Sequence, residues 1–137
     1  MGNARQEYYK KTTERQQTIF ASALRGTANS GTIVTPEGYS GVNLILDIPG
    51  KAGTSPTLDL KVQAVDSISG EFRDIPGAAF SQHTAEANDE LIIRPGIAET
   101  ANVSVSDAIP AKWRLLGTVG GSSTPTFTYS VSADFIP

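Results

Sequence analysis

The clearest pattern in the chain is alternation. In VNLILDI, Val42, Leu44, Leu46 and Ile48 take one face, and Asn43, Ile45 and Asp47 take the other. In the next segment Leu58, Leu60, Val62 and Ala64 alternate with Thr57, Asp59, Lys61 and Gln63. A period of two with one apolar side predicts strands that are dry on one face and wet on the other. The same pattern closes the chain. There Phe127, Tyr129, Val131 and Ala133 point inward, while Thr126, Thr128, Ser130 and Ser132 point outward. Further short strands are expected in TIFASALRG, in TIVT, before the DIPG turn, in ELII, around Val103 and Val105, and in KWRLLGTV, with Trp113 in the core. Gly and Pro punctuate the gaps. No credible helix follows Thr18. The prediction is an all-β domain, a β-sandwich or jelly roll of about seven to nine short antiparallel strands.

One phrase occurs twice. Residues 53–62 read GTSPTLDLKV and residues 121–131 read GSSTPTFTYSV, in register on Pro56 and Pro125. Each copy is a Gly/Ser/Pro stretch feeding a half-buried strand. The expectation is a pair of similar hairpins, VNLILDI–loop–TLDLKV and KWRLLGTV–loop–TFTYSV, facing each other across the core. Glycine lets each chain reverse, and proline opens the second strand where no ladder N–H is needed.

Ahead of the strands lies a different segment. Residues 1–17 form an N-terminal arm, extended or partly helical, and residues 18–137 form the sandwich domain. Asn3 stands in capping position with Gln6 in capping-box register. The apolar face of the arm is poor, with only Tyr8, Thr12 and Ile19 roughly in line. It is therefore either a loose tail or an arm that orders on a neighbour. Charge separates it from the body. Residues 1–26 hold five basic side chains against two acidic, a net +3, whereas residues 27–137 hold six against twelve, a net −6. The bland reading is a solvated leader on an acidic domain. The sharper one is a contact arm, with Arg5, Tyr8, Tyr9, Lys10, Lys11 and Arg15 as the partner-binding residues and the two tyrosines as interface anchors.

The chain is one domain by length. It has no Cys, which excludes disulfides and thiolate metal sites. No run approaches the ~20 apolar residues of a membrane span, and the first residues lack the apolar core of a secretory signal. The expectation is no membrane contact and no export by that route. No catalytic, cofactor-binding or metal-binding residue is nominated. The single histidine, His83, stands in a polar stretch and reads as an exposed loop residue, with no nucleophile elbow elsewhere to partner it. DSISGEFRD carries Asp66, Glu71 and Asp74, but not at the alternate spacing of a calcium loop, and reads as a polar turn. The acidic body would repel phosphate, so direct nucleic-acid binding is not expected.

The run GTSPTLDLKVQAVDSISGEFRDIPGAAF, then IRPGIAETANVSVSDAIPAKWRLLGTVGG, then TPTFTYSV, resembles small proteins encoded among the virion genes of tailed bacteriophages. It is also similar to the small jelly-roll-like decoration or cement proteins of their capsids. The resemblance covers roughly Phe20 to Ala133 and leaves the arm outside. It implies a structural protein of the virion, bound in many copies on the capsid surface as a dimer or trimer, with the major capsid protein as partner. It implies neither an enzyme nor a cofactor. The competing expectation is a tail or fibre module that recognises a host glycan.

Overall fold

The computed structural model describes residues 15–137. The expected capping pair Asn3 and Gln6, and the nominated Arg5, Tyr8, Tyr9, Lys10 and Lys11, lie outside the described residues. Seven strands follow: β1 (Gln16–Arg25), β2 (Asn29–Val34), β3 (Gly41–Val65), β4 (Phe72–Ala79), β5 (Ala87–Ile93), β6 (Ser104–Val105) and β7 (Lys112–Ile136). There is no helical element among them. β1 starts at Gln16, so the domain takes in Gln16 and Gln17, which the sequence reading gives to the arm.

Two strands are far longer than expected, β3 and β7 having 25 residues each. They pair antiparallel along almost their whole length, from Gly41↔Ile136 to Ala64↔Trp113. This overturns the expected hairpins. VNLILDI does not pair with TLDLKV. It pairs with the end of the chain (Leu44↔Ala133, Leu46↔Val131), and TLDLKV pairs with KWRLLGTV (Leu60↔Gly117, Val62↔Leu115).

The long ribbon is doubled over. Trp113 and Phe135 stand 22 positions apart on β7, which is about 70 Å of extended strand. Yet their rings meet edge to face at 6.3 Å. The bend lies where the repeated phrase lies. Pairing slips between Asp47 and Gly50, between Ala52 and Thr54, and between Thr54 and Thr57. Positive φ angles cluster on both strands there, at Gly53 (99°) and Ser55 (47°) on β3 and at Gly121 (121°), Ser123 (58°) and Thr124 (52°) on β7. Bulges of this kind let strands turn from one layer to the next without losing the ladder. The two copies of the phrase run antiparallel beside each other through the corner, related by an approximate local two-fold axis. The repeat therefore encodes two halves of one corner, not two hairpin loops.

β1 and β2 track β7 on one side of the ribbon, through Gln16↔Asp134 to Arg25↔Phe127 and then Asn29↔Gly117 to Val34↔Lys112. On the other side β5 pairs with the first half of β3, and β4 with its second half. The result is one sheet folded into two layers. The first layer has the order β1–β7–β3–β5, and the second has the order β2–β7–β3–β4. Eight segments wound in this order make a jelly roll, the sandwich of two Greek keys. β6 adds a short parallel edge to β5, the one departure from antiparallel pairing among the described residues.

Every residue assigned to the inner face of the three best-patterned segments is buried: Val42, Leu44, Leu46 and Ile48; Leu58, Leu60, Val62 and Ala64; Phe127, Tyr129, Val131 and Ala133. Trp113 is fully buried with them. Phe20 packs edge-on against Tyr129 at 5.8 Å. Arg25 closes that corner. Its Cζ lies 4.7 Å from the Tyr129 ring centroid, and its guanidinium donates to the carbonyls of Ala21 (2.6 Å) and Tyr129 (2.6 Å). It thus supplies partners at the β1 bulge, where the register slips between Phe20 and Ala23.

Candidate interaction face

The outer face of the first layer is built by the polar phase of four strands. β1 presents Gln16 and Thr18, β7 presents Ser130, Ser132 and Asp134, β3 presents Asn43, Ile45 and Asp47, and β5 presents Asn88, Glu90 and Ile92. The register sets Ile45 between Ser132 and Glu90, and Asn43 between Asp134 and Ile92. Val103 is fixed beside them, because Ile92 N–H donates to its carbonyl at 2.9 Å. Ile45 and Val103 are each close to half exposed, at 42% and 49%. With Ile92 they make an apolar patch on a face that should be wet. Asp47, Glu90 and Asp134 surround it, and these strand positions carry no Lys or Arg. Asn43 Oδ1 is buried here with no hydrogen-bond partner among the described residues.

The proposed contact arm joins the domain at this face. Arg15 Nε donates to Asp134 Oδ1 at 3.1 Å, which fixes the point where the chain enters β1. Both side chains are partly solvated, so the pair adds little stability and acts mainly by setting direction. Arg15 is the one nominated partner-binding residue that the structure places. Its neighbours on the face, Ile45, Ile92 and Val103, are not among the residues that sequence reasoning nominates. The signal for Ile45 is an isoleucine in the polar phase of VNLILDI, which alone reads simply as the outer side of a strand.

His83 is not the exposed loop residue expected from sequence. Its side chain is only 16% exposed, and Nε2 lies 2.8 Å from Asp89 Oδ2. Its backbone pairs with Leu58 in both directions, at 2.8 and 3.0 Å. The β4–β5 connection has to cross the same corner as the ribbon, and its backbone groups find their partners there. The geometry is that of a clamp on the connection.

The acidic stretch DSISGEFRD is a turn. Asp66 Oδ1 accepts the Ile68 N–H at 3.0 Å and Oδ2 accepts the Ser69 hydroxyl at 2.8 Å. Gly70 N–H returns to the Asp66 carbonyl at 2.8 Å. The backbone bond from Ile68 and then the Ser69 hydroxyl hold the Asp66 carboxyl below its ordinary value of 3.8. No group of three or more His, Asp or Glu side chains able to hold a metal occurs among the described residues. A lowered pKa stabilises the fold above the unfolded value and ceases to do so as pH falls through the folded value. Asp66→Asn is therefore expected to lower the thermal midpoint at about pH 7, with the gap to wild type closing as pH falls below the ordinary carboxylate range and through the lowered Asp66 value. Melting curves of both proteins across pH check this; a gap that stays constant with pH contradicts it.

The second layer's outer face is occupied by its own polar strip. Arg114 Nε donates to Gln63 Oε1 at 2.7 Å, and Gln63 Nε2 donates to Asp74 Oδ1 at 2.7 Å. Lys61 Nζ lies 3.1 Å from Asp74 Oδ1. The Gln63 bond, then the Lys61 bond, hold the Asp74 carboxyl below its ordinary value. Arg114 Cζ stacks 3.4 Å from the Phe72 ring centroid. These groups satisfy one another, whereas the first layer's face carries apolar side chains and carboxylates with few partners among the described residues.

No protein-family model matches the chain, and no curated protein is significantly similar to it.

Proposed function

We propose that the chain is a virion structural protein, a capsid cement or decoration protein that binds the outside of a phage head and stabilises contacts between major capsid proteins. One observation carries the reading. The first layer's outer face sets an apolar patch, Ile45, Ile92 and Val103, among carboxylates, at the root of a basic segment bearing Tyr8 and Tyr9. The patch lines a shallow, open depression with Asn88, Asp89 and Glu90, and half-exposed aliphatics on such an open face suit contact with another protein. Opposite charge on face and segment lets one copy contact two surfaces of different character. The resemblance of the segments from Phe20 to Ala133 to phage virion proteins points the same way. Major capsid protein is the partner, and no enzyme chemistry, cofactor, membrane or direct nucleic-acid contact enters the reading.

The runner-up, a tail or fibre module recognising a host glycan, has one observation in its favour. Phe72 is 46% exposed at the rim of a cleft lined by Asp66, Glu71, Arg73 and Pro110. Aromatic rings beside polar groups can hold sugars, but Arg114 already covers part of this ring. Separating heads from tails of the encoding phage and assaying each for the protein distinguishes the two. Recovery with the heads is expected, and recovery with the tails overturns the cement reading.

A further inference from the structure

A folded sheet of two layers has four outer edges, and three of them are blunted. β1 is bulged twice, between Thr18 and Phe20 and between Phe20 and Ala23, and carries Arg25. β4 carries Arg73, Asp74 and Pro76 and slips register against β3. β6 is two residues long. Bulges, charges, proline and shortness are the devices that stop an edge from pairing with another chain. β2 has none of them. Its register against β7 is regular from Asn29↔Gly117 to Val34↔Lys112. Its sequence is NSGTIV, and residues 26–36 carry no charge at all.

The direction of its free groups follows from the ladder. Thr35 N–H donates to the Ala111 carbonyl at 2.8 Å, which continues the β2–β7 register. In an antiparallel pair, alternate residues exchange both hydrogen bonds with the partner. Ile33, Gly31 and Asn29 are then the residues bonded to β7. Ser30, Thr32 and Val34 turn their N–H and C=O groups to the open edge, where no strand meets them among the described residues. The same three side chains are exposed, Val34 at 67%.

We infer that β2 is a dimerisation edge that pairs antiparallel with β2 of a second copy, joining the two second layers into one continuous sheet. The occupant is a second copy because the edge complements itself. A two-fold axis at Thr32 sets Thr32 opposite Thr32 and Ser30 opposite Val34, and closes about six backbone hydrogen bonds. Threonine pairs are favourable across strands. The edge is neutral, so two copies of a protein with net charge −3 meet there without like charges facing each other. This inference does not rest on the cement reading, and it uses a surface opposite in layer to the proposed capsid face, which stays free in the dimer.

The chain lacks cysteine, so one introduced thiol reports cleanly. A bonded antiparallel pair sets its Cα atoms about 5.5 Å apart, inside the roughly 4.4–6.8 Å that a disulfide spans. Thr32→Cys, in the full chain, is expected to oxidise to a covalent dimer that a reductant reverses. Wild type is expected to sediment at twice the 14.4 kDa chain mass. Thr32→Pro removes an N–H that β7 does not use, which an edge strand tolerates. It is expected to keep the wild-type circular dichroism and to weaken association by about tenfold or more, two ladder bonds being lost per dimer. A wild-type monomer overturns the inference. So does a dimer that Thr32→Pro leaves intact, or one in which Thr32→Cys does not cross-link.

Discussion

Replacing Trp113 by alanine lowers the unfolding free energy by about 3–5 kcal/mol, the range for truncating a large buried aromatic. A domain of this size has only about 5–15 kcal/mol in total, so the variant sits at the margin of folding. The cost has three sources. Trp113 has no exposed surface, so its removal leaves a cavity between the layers. Its ring contacts Phe135 at 6.3 Å, which ties together two ends of β7 that meet only because the ribbon is doubled. Its indole N–H donates to Thr35 Oγ1 at 3.0 Å, and Thr35 donates in turn to the Pro110 carbonyl at 2.6 Å. Trp113→Phe keeps most of the volume and loses the N–H, so about 1–2 kcal/mol is expected from it. Trp113 is the chain's single tryptophan, so unfolding in urea is followed by far-ultraviolet circular dichroism. A loss below about 1 kcal/mol for the alanine variant contradicts the packing described.

Gly53→Ala is expected to destabilise by about 2–5 kcal/mol, although it adds one methyl group on an exposed corner. Gly53 has φ +99°, a conformation that side chains disfavour by about 1–2 kcal/mol. A Cβ there would lie 2.7 Å from Pro125 Cα, 3.1 Å from its nitrogen and 3.2 Å from the Ser122 carbonyl oxygen. All three atoms are backbone of the facing strand, so no side chain can swing aside. Overpacking adds about another 1–3 kcal/mol. Gly50 is the control. It lies three residues away, and a methyl group added there would meet nothing within 4 Å, so Gly50→Ala is expected to be close to neutral. Equal denaturation midpoints for the two variants would contradict the corner as described.

Alternation makes the inner faces legible. Leu44, Leu58 and Tyr129 can be assigned inward because a strand with one dry side has no other way to bury them. Which strands pair is not legible. The same Gly/Ser/Pro phrase can reverse a chain or turn a paired ribbon through a corner, and the difference lies in residues some 70 positions away. From sequence TLDLKV is expected to return on VNLILDI, but Leu58 pairs with Val119, and Leu46 pairs with Val131. His83 escapes sequence reasoning for the same reason. Its surroundings, Leu58 and Asp89, come together only when the β4–β5 connection crosses the corner. At the candidate face, Arg15 stands out by its charge in the arm, and its partner Asp134 lies at the other end of the chain. The apolar patch is legible only in part. An isoleucine in a strand's polar phase is ordinary when taken alone, and Ile45 gains meaning because the register sets it near Ile92 and Val103.

The most direct test of the proposed function is the copy number of the protein in purified particles of the encoding phage, measured by quantitative mass spectrometry against the major shell protein. A cement protein follows the symmetry of the shell, so its abundance is expected to equal that of the shell protein or a simple fraction of it. A handful of copies per particle, the count of a tail component, would contradict the reading and turn attention to the Phe72 cleft.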